Sequence, residues 1–132
     1  MVRIRRRGTA IVETSKGILV ASGRKKIFLL PGGGAEKWES RRKATIRELK
    51  EETGLKAVSW KFLFYHKGFV HKSHGGGHFK DIHKVFLIKA IGNPKPNHHD
   101  VKHIAYWKPD SNIKISRTTQ TIIEKYLREY KK

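Results

Sequence analysis

The segment Trp38–Thr53 differs from the rest of the chain before residue 116, because it consists mainly of good helix formers. Ala44, Ile46 and Leu49 supply a face that can be buried, and Gly54 stands where a helix commonly ends. The segment therefore predicts one helix inserted among strands. Such an order favours an α+β or α/β sandwich over a regular alternation of strand and helix.

Runs rich in branched and aromatic residues, separated by turn signals, predict strands on both sides of this helix. They are Thr9–Thr14, Gly17–Ala21, Lys26–Leu30, Val58–His66, Lys84–Ile91 and His103–Trp107. Apolar residues at helical spacing predict a second helix over Ser116–Tyr130. Gly75–Gly77 and Gly92–Asn97 predict a hairpin tip and an irregular loop. The length suits a single domain over residues 1–132.

The chain is strongly basic, since 30 Lys or Arg against 11 Asp or Glu give a formal net charge of +19. A field of this size concentrates polyanions, so we expect a phosphate-rich partner; a basic surface suited to the ionic conditions of the cell is the alternative. No apolar run approaches the roughly 20 residues of a membrane span, which excludes a membrane protein. Because cysteine is absent and no apolar stretch follows the basic amino end, we expect a cytoplasmic location.

Acidic residues are scarce, yet five of the 11 fall between positions 36 and 52. In a helix, Glu48, Glu51 and Glu52 stand at i, i+3 and i+4 and share one face. Like charges at that spacing repel unless a cation lies among them, and Mg²⁺ prefers oxygen ligands of this kind. The alternative is ordinary ion pairing along the helix, with Arg47 four residues before Glu51. A metal site better explains three clustered acids beside a glycine turn.

Gly33, Glu39 and the run Arg47–Leu55 resemble the signature of the Nudix (MutT-like) hydrolases, G-x5-E-x7-R-E-U-x-E-E-x-G-U, where U is a bulky aliphatic residue. Every fixed position matches. The resemblance implies an α/β/α sandwich with a mixed central sheet between helices. It also implies a hydrolase of phosphorus-containing acid anhydrides, which cleaves a nucleoside diphosphate linked to another group by attack of water on phosphorus.

The resemblance further implies a set of ligands for Mg²⁺ or Mn²⁺. Glu51 and Glu52 would be the main ligands, and the main-chain carbonyl of Gly32 would be another. Glu48 would either bind the ion or orient and deprotonate the attacking water. Such an ion offsets charge that develops around phosphorus and lowers the pKa of a bound water.

Other positions of the signature are implied to be mainly structural. Arg47 and Glu39 would form an ion pair that holds the loop against the helix, and Gly33 and Gly54 would shape the turns. Many family members take a catalytic base from an acidic residue in a loop before a late strand. Asp100 is the nearest match here and joins the catalytic candidates; its alternative role is that of a solvated turn residue.

Candidate substrate-binding residues share a positive charge or an aromatic ring. They are Arg24, Lys26, Trp38, Lys67 and Lys80. Trp38 stands where family members commonly have glycine, and it either closes the hydrophobic layer at the helix start or stacks on a substrate base. The histidines near the glycine tip fit no zinc signature and are better suited to phosphate or base edges.

Two functions from different classes remain open at this point. The first is a metal-dependent pyrophosphohydrolase acting on a phosphate-rich small molecule such as a nucleoside triphosphate, a nucleotide sugar, a dinucleoside polyphosphate or an inositol pyrophosphate. The second is a nucleic-acid-binding module, or a protein that processes the 5′ end of RNA, using the basic surface. The intact carboxylate cluster favours the enzyme. The chain is expected to act as a monomer or a homodimer.

Overall fold

The computed structural model describes residues 1–131, so Lys132, the last residue of the predicted domain, lies outside this range. Within it the elements are β1 (Val2–Ile11), β2 (Glu13–Thr14), β3 (Gly17–Ser22), β4 (Gly32–Gly34), α1 (Arg41–Thr53), β5 (Lys56–Lys72), β6 (His78–Ile91), β7 (His103–Trp107) and α2 (Arg117–Lys125). A π-helical turn, Tyr126–Tyr130, continues α2.

The strands form two sheets. The larger sheet has the order β4-β1-β6-β5, and the smaller one has the order β2-β3-β7. β1 and β6 run parallel, with Arg5 opposite Asp81 and Arg7 opposite His83. All the other strand pairs are antiparallel. The larger sheet is therefore mixed, as the resemblance implied.

The larger sheet lies between the two helices because its side chains alternate between two cores. On one face, Leu49 of α1 packs with Phe86 and Ile88 of β6. On the other face, Ile122 and Ile123 of α2 belong to a second core. This arrangement confirms the expected α/β/α sandwich.

The ends of α1 are set by local chemistry. The Ser40 side chain accepts a hydrogen bond from the backbone N–H of Lys43 at 3.1 Å, so the helix begins at Arg41, three residues after the predicted start at Trp38. Gly54 takes a left-handed conformation (φ 79°) and its N–H caps the carbonyl of Lys50. No helix within residues 1–131 is long and apolar enough to cross a membrane.

The strand predicted over Lys26–Leu30 is wrong. Its backbone hydrogen bonds are split between two neighbours, because Leu29 bridges to Ala21 while Phe28 bridges to Ile115. Neither bridge extends into a ladder. The strand forms instead at the glycines Gly32–Gly34, which pair with β1.

Three strands are longer than predicted. β1 begins at Val2, and β5 and β6 extend to a hairpin whose tip lies at Ser73–Gly77, which confirms the predicted turn at Gly75–Gly77. Cations occupy many positions of these extensions, so the apolar alternation that signals a strand is weak there. In these extensions β1 and β6 stay paired from Val2 and His78 onward.

Candidate active site

Two glycines allow β4 to lie close against β1 and α1. At Gly32 (φ 150°) an added Cβ would stand 2.1 Å from the carbonyl oxygen of Gly8. At Gly33 it would stand 2.6 Å from the carboxyl carbon of Glu48. A side chain at either position would therefore separate the strand from its neighbours. The glycines bring main-chain atoms up to the acidic face of the helix.

Arg47 ties the loop before α1 to the helix. Its Nε and Nη2 donate to the two carboxylate oxygens of Glu39, both at 2.9 Å, and Nη2 also donates to the carbonyl of Gly34 at 3.2 Å. This paired geometry lowers the pKa of Glu39 to about 2. The structure thus brings together the two residues that the resemblance gave as an ion pair.

The same guanidinium also meets two of the three helical carboxylates. Nη1 donates to Glu48 at 2.9 Å and lies 3.4 Å from Glu51. The Glu51 side chain is 45% exposed, whereas that of Glu48 is 21% exposed. Arg47 therefore offsets part of the repulsion between these acids.

Glu52 points away from that group. Its Oε1 accepts the backbone N–H of Gly32 at 3.0 Å, and its side chain lines a cavity. Burial, with the nearby charges of Glu48 and Glu51, raises the pKa of Glu52 to about 7. The Gly32 N–H and the charge of Arg7 act in the opposite direction. A carboxylate with so little cationic compensation is a suitable ligand for a cation.

The three glutamates do not converge on one point. Among residues 1–131, the group of three metal-ligating side chains whose donor atoms all lie within 4.8 Å of one another is His98, His99 and Asp100. Residues 51 and 52 are about 100° apart around the helix axis, so Glu52 turns inward to Gly32 while Glu51 faces solvent.

A cavity of about 470 Å³ opens beside Glu52, on the face of the larger sheet that carries α2. Its floor comes from alternate residues of the parallel pair β1 and β6: Arg5, Arg7 and Thr9 with Asp81 and His83. Its walls include Gly32 and Gly33 of β4 and Thr118 of α2. A volume of this size is typical of a small-molecule site.

Four of the five polar side chains of the floor are paired with one another. Arg5 Nε and Nη2 donate to the Asp81 carboxylate at 2.6 and 3.0 Å. The Thr9 hydroxyl and His83 Nδ1 share a hydrogen bond of 2.9 Å. Burial, together with the charge of Arg7, lowers the pKa of His83 to about 4, so His83 is neutral near pH 7. Arg7, which forms no ion pair within residues 1–131, is the cation available to an anionic ligand.

The other predicted site residues lie at different distances from this cavity. Asp100 is at its rim, with a side chain that is 77% exposed and close to His98 and His99. Arg24 lies with Asp100 in a shallow depression next to it.

Four further candidates are more remote. Trp38 is 85% exposed in the loop before α1. Asp81 and His83 of β6 face the cavity, so Lys80 and Ile82, which alternate with them along the strand, face α1. Lys67 of β5 pairs with Ile82 and therefore lies on the same α1 face. Lys26 is exposed in the turn after β3. Their role in substrate binding stays a prediction.

The cavity floor is the part of the site that sequence reasoning missed. Arg5 and Asp81 are separated by 76 positions, and only the pairing of β1 with β6 brings them together. The available signal was the period of two in Arg5-x-Arg7-x-Thr9 and Asp81-x-His83, which places such residues on one face of a strand.

The ligand chemistry of the residues at the end of α1 fits a divalent cation, and one ion shared by Glu51 and Glu52 requires the exposed Glu51 side chain to turn toward Glu52. Carboxylate oxygens are the ligands that Mg²⁺ and Mn²⁺ prefer, and the pKa of Glu52 is raised mainly by burial and further by the neighbouring carboxylates Glu48 and Glu51, whose charges a cation would offset. Gly33 leaves the space beside Glu48 that a Cβ would fill. An acidic helix end at the rim of a cavity that contains arginine suits the hydrolysis of phosphoric anhydrides.

The chain belongs to the Nudix family: the model of the NUDIX domain matches residues 3–127. It is therefore a Nudix hydrolase, an enzyme that acts on phosphorus-containing acid anhydrides, as the resemblance implied. The match covers the signature, both sheets and α2.

Relatives agree with this assignment. The chain is 30% identical over 122 residues to the ADP-ribose pyrophosphatase of Methanocaldococcus jannaschii, covering 89% of this chain and 70% of the relative. It is 37% identical to a Nudix hydrolase family member from Chromobacterium violaceum, with a TM-score of 0.75 and coverage of 95% and 77%. A MutT Nudix hydrolase from Burkholderia pseudomallei, 20% identical with a TM-score of 0.75 and coverage of 92% and 97%, shares the fold.

Proposed function

We propose that this Nudix hydrolase is a Mg²⁺- or Mn²⁺-dependent pyrophosphohydrolase whose ion is held by Glu48, Glu51 and Glu52, with the carbonyl of Gly32 as a further ligand. The observation that carries the proposal is Glu52, a partly buried carboxylate at the rim of the 470 Å³ cavity, whose Oε1 accepts the Gly32 N–H at 3.0 Å and whose pKa is raised to about 7. A divalent cation there supplies charge stabilisation at phosphorus and a more acidic water.

The chain's own residues prepare the site in three ways. Arg47 fixes the loop through Glu39 and keeps Glu48 at the helix surface. Arg7 attracts the anionic part of the substrate into the cavity. Glu48 orients the attacking water or binds the ion, and Asp100 at the rim is the second candidate for the base.

The substrate class we propose is a nucleoside diphosphate linked to another group. The cavity volume suits one nucleotide half of such a molecule, and Arg7 on the cavity floor can bind its phosphate. Because the relative from Methanocaldococcus jannaschii is named an ADP-ribose pyrophosphatase, ADP-ribose is the first compound to test. Nucleoside triphosphates, nucleotide sugars, dinucleoside polyphosphates, inositol pyrophosphates and triphosphate-ended RNA complete the panel.

The test combines product analysis with two substitutions. Glu51→Gln and Glu52→Gln each remove one ligand charge, and each is expected to lower turnover by about a thousandfold. Glu124→Gln is the matched control, because Glu124 is exposed on α2 and its carboxylate accepts a hydrogen bond from Gln120. Mass analysis of products formed in isotopically labelled water identifies the bond that breaks. Near-normal turnover in both site variants would remove the proposal.

Three further predictions belong with this function. We expect the enzyme to act in the cytoplasm, in agreement with the lack of cysteine. We expect a monomer or a homodimer, which sedimentation distinguishes. RNA remains the alternative partner, supported by the net charge of +19.

A further inference from the structure

The α1 face of the larger sheet extends beyond the helix and leaves three aromatic rings of β5 in solvent. Trp60, Phe62 and Tyr65 are 46, 45 and 46% exposed. Trp60 stands opposite Ile88 and Phe62 opposite Phe86, which pack in the α1 core, so the rings lie on the side away from the cavity. A cluster of half-exposed rings on one face marks a binding surface more often than a solvated one.

Three cations stand over these rings. The Arg41 guanidinium carbon lies 5.1 Å from the centre of the Tyr65 ring, and that of Arg42 lies 5.6 Å from the centre of the Trp60 ring. Lys84 Nζ lies 5.2 Å from the Phe62 ring and 5.8 Å from the Tyr65 ring. We call the surface formed by these six residues the aromatic face.

The aromatic face carries positive charge without acidic partners. No Asp or Glu occurs between Thr53 and Lys80 in the sequence. Within residues 1–131, none of the three cations takes part in an ion pair. Lys67 and Lys80 extend the same face along the ribbon, where they stand opposite Ile82 and Val70. A ligand for this surface must therefore be anionic.

The combination of unpaired cations and exposed rings selects among anionic ligands. A single-stranded nucleic acid offers phosphates to the cations and flat bases to the rings, whereas the bases of a duplex are already stacked on one another. A second copy of this chain would set the same cations against each other, which Coulomb repulsion disfavours. Charge complementarity thus favours the nucleic acid over self-association.

We propose that the aromatic face binds single-stranded nucleic acid, with bases stacked on Trp60 and Tyr65 and phosphates against Arg42 and Lys84. The site lies on the opposite side of the sheet from the catalytic cavity, so it needs neither the metal nor the hydrolytic activity.

The probe is a fluorescein-labelled RNA of mixed sequence, about 12 nucleotides long, with a 5′-hydroxyl end. This end contains no pyrophosphate, and EDTA in the buffer removes divalent cations, so metal-dependent capture of a pyrophosphate by the catalytic cavity does not contribute. Fluorescence anisotropy then reports binding by the full chain over a range of salt concentrations. DNA of the same sequence and a duplex of the same length are the comparison ligands.

Two charge-matched variants locate the surface. Arg42→Gln combined with Lys84→Gln removes two charges from the aromatic face, and we expect the slope of log affinity against log salt to become shallower by about 1.4. Lys108→Gln combined with Lys114→Gln removes two charges from the exposed segment after β7, on the α2 side, and should leave binding within about twofold. Trp60→Leu keeps an apolar side chain without a ring and should weaken binding about fivefold or more.

Each outcome bears on the proposal. Equal losses in the two charge variants would show attraction by net charge alone and overturn the location. Equal affinity for the duplex, or unchanged affinity in Trp60→Leu, would overturn the stacking. If the parent protein is a dimer that Trp60→Leu converts to a monomer, and its addition to the labelled RNA does not change the anisotropy, the aromatic face is an interface with a second copy of the chain. None of these results depends on whether the catalytic glutamates hold a metal.

Discussion

Glu52 is expected to destabilise the metal-depleted protein at neutral pH, so Glu52→Gln should raise stability while it removes activity. Its pKa is raised from 4.5 to about 7, mainly by burial. At about 1.4 kcal/mol for each pKa unit, keeping this carboxylate ionised in the fold costs about 3 kcal/mol. Glutamine removes the charge and keeps an oxygen that can accept the Gly32 N–H.

The sign of the pH dependence follows from the raised pKa. The folded state holds the proton of Glu52 more tightly than the unfolded state does, so stability from this group is fully present below about pH 4.5 and is lost as the pH rises through about 7. The free energy of unfolding of Glu52→Gln minus that of the parent should therefore increase by about 2 to 3 kcal/mol between about pH 5 and pH 8.

Urea unfolding in metal-depleted buffer measures this difference. Glu51→Gln is the matched control, because it removes the same charge from a side chain that is 45% exposed. Its effect should stay within about 0.5 kcal/mol at each pH. A difference for Glu52→Gln that is independent of pH, or that grows toward low pH, would refute the assignment of Glu52 as a carboxylate whose pKa is raised by burial in the fold.

Three further perturbations test the support of the site. Gly33→Ala places a Cβ 2.6 Å from the carboxyl carbon of Glu48, and titration calorimetry should show an Mn²⁺ affinity about 10- to 100-fold lower. Gly34→Ala is the control, because its added Cβ has nothing within 4 Å, and it should leave the affinity unchanged. Equal effects of the two substitutions would exclude the steric argument. Arg47→Lys loses the paired contacts to Glu39 and should cost about 1 kcal/mol in urea unfolding and at least about tenfold in turnover; unchanged turnover would contradict its positioning role. Asp81→Asn frees Arg5 for phosphate and should lower KM up to about fivefold, so a higher KM would show that Asp81 itself binds substrate.

Local chemistry made α1 and its acidic face predictable. Ser40 and Gly54 cap the helix, and Leu49 is fully buried between them, all within one continuous segment. The start was displaced by three residues because the Ser40 cap competes with the helix-forming residues before it. Propensity, patterning and capping agree in this segment, which is why it could be located from the sequence.

The contact between Arg47 and Glu39 had a different origin. Eight positions separate the two residues, so no helical spacing relates them, and only the resemblance to the Nudix signature suggested the pair. Glu39 is held in a turn before α1, where its carboxylate accepts the backbone N–H of Glu36 and its own backbone N–H donates to the Glu36 carbonyl. No sequence pattern in this turn indicates that Glu39 pairs with Arg47.

The cavity floor could not be predicted, because it depends on which strands become neighbours. β1 pairs in parallel with β6, and this pairing joins Arg5 to Asp81 and places Thr9 close to His83. Parallel neighbours are distant in the sequence, and either strand alone is compatible with several partners. The contact of Glu52 with the Gly32 N–H was also beyond the i, i+3, i+4 pattern, since it depends on the close approach of β4 to α1.

Anomalous scattering from crystals grown with Mn²⁺ tests most directly whether the acidic end of α1 holds the ion. We expect a peak within bonding distance of the carboxylates of Glu51 and Glu52, and its loss in Glu52→Gln. A peak confined to His98, His99 and Asp100, with none at the end of α1, would contradict it.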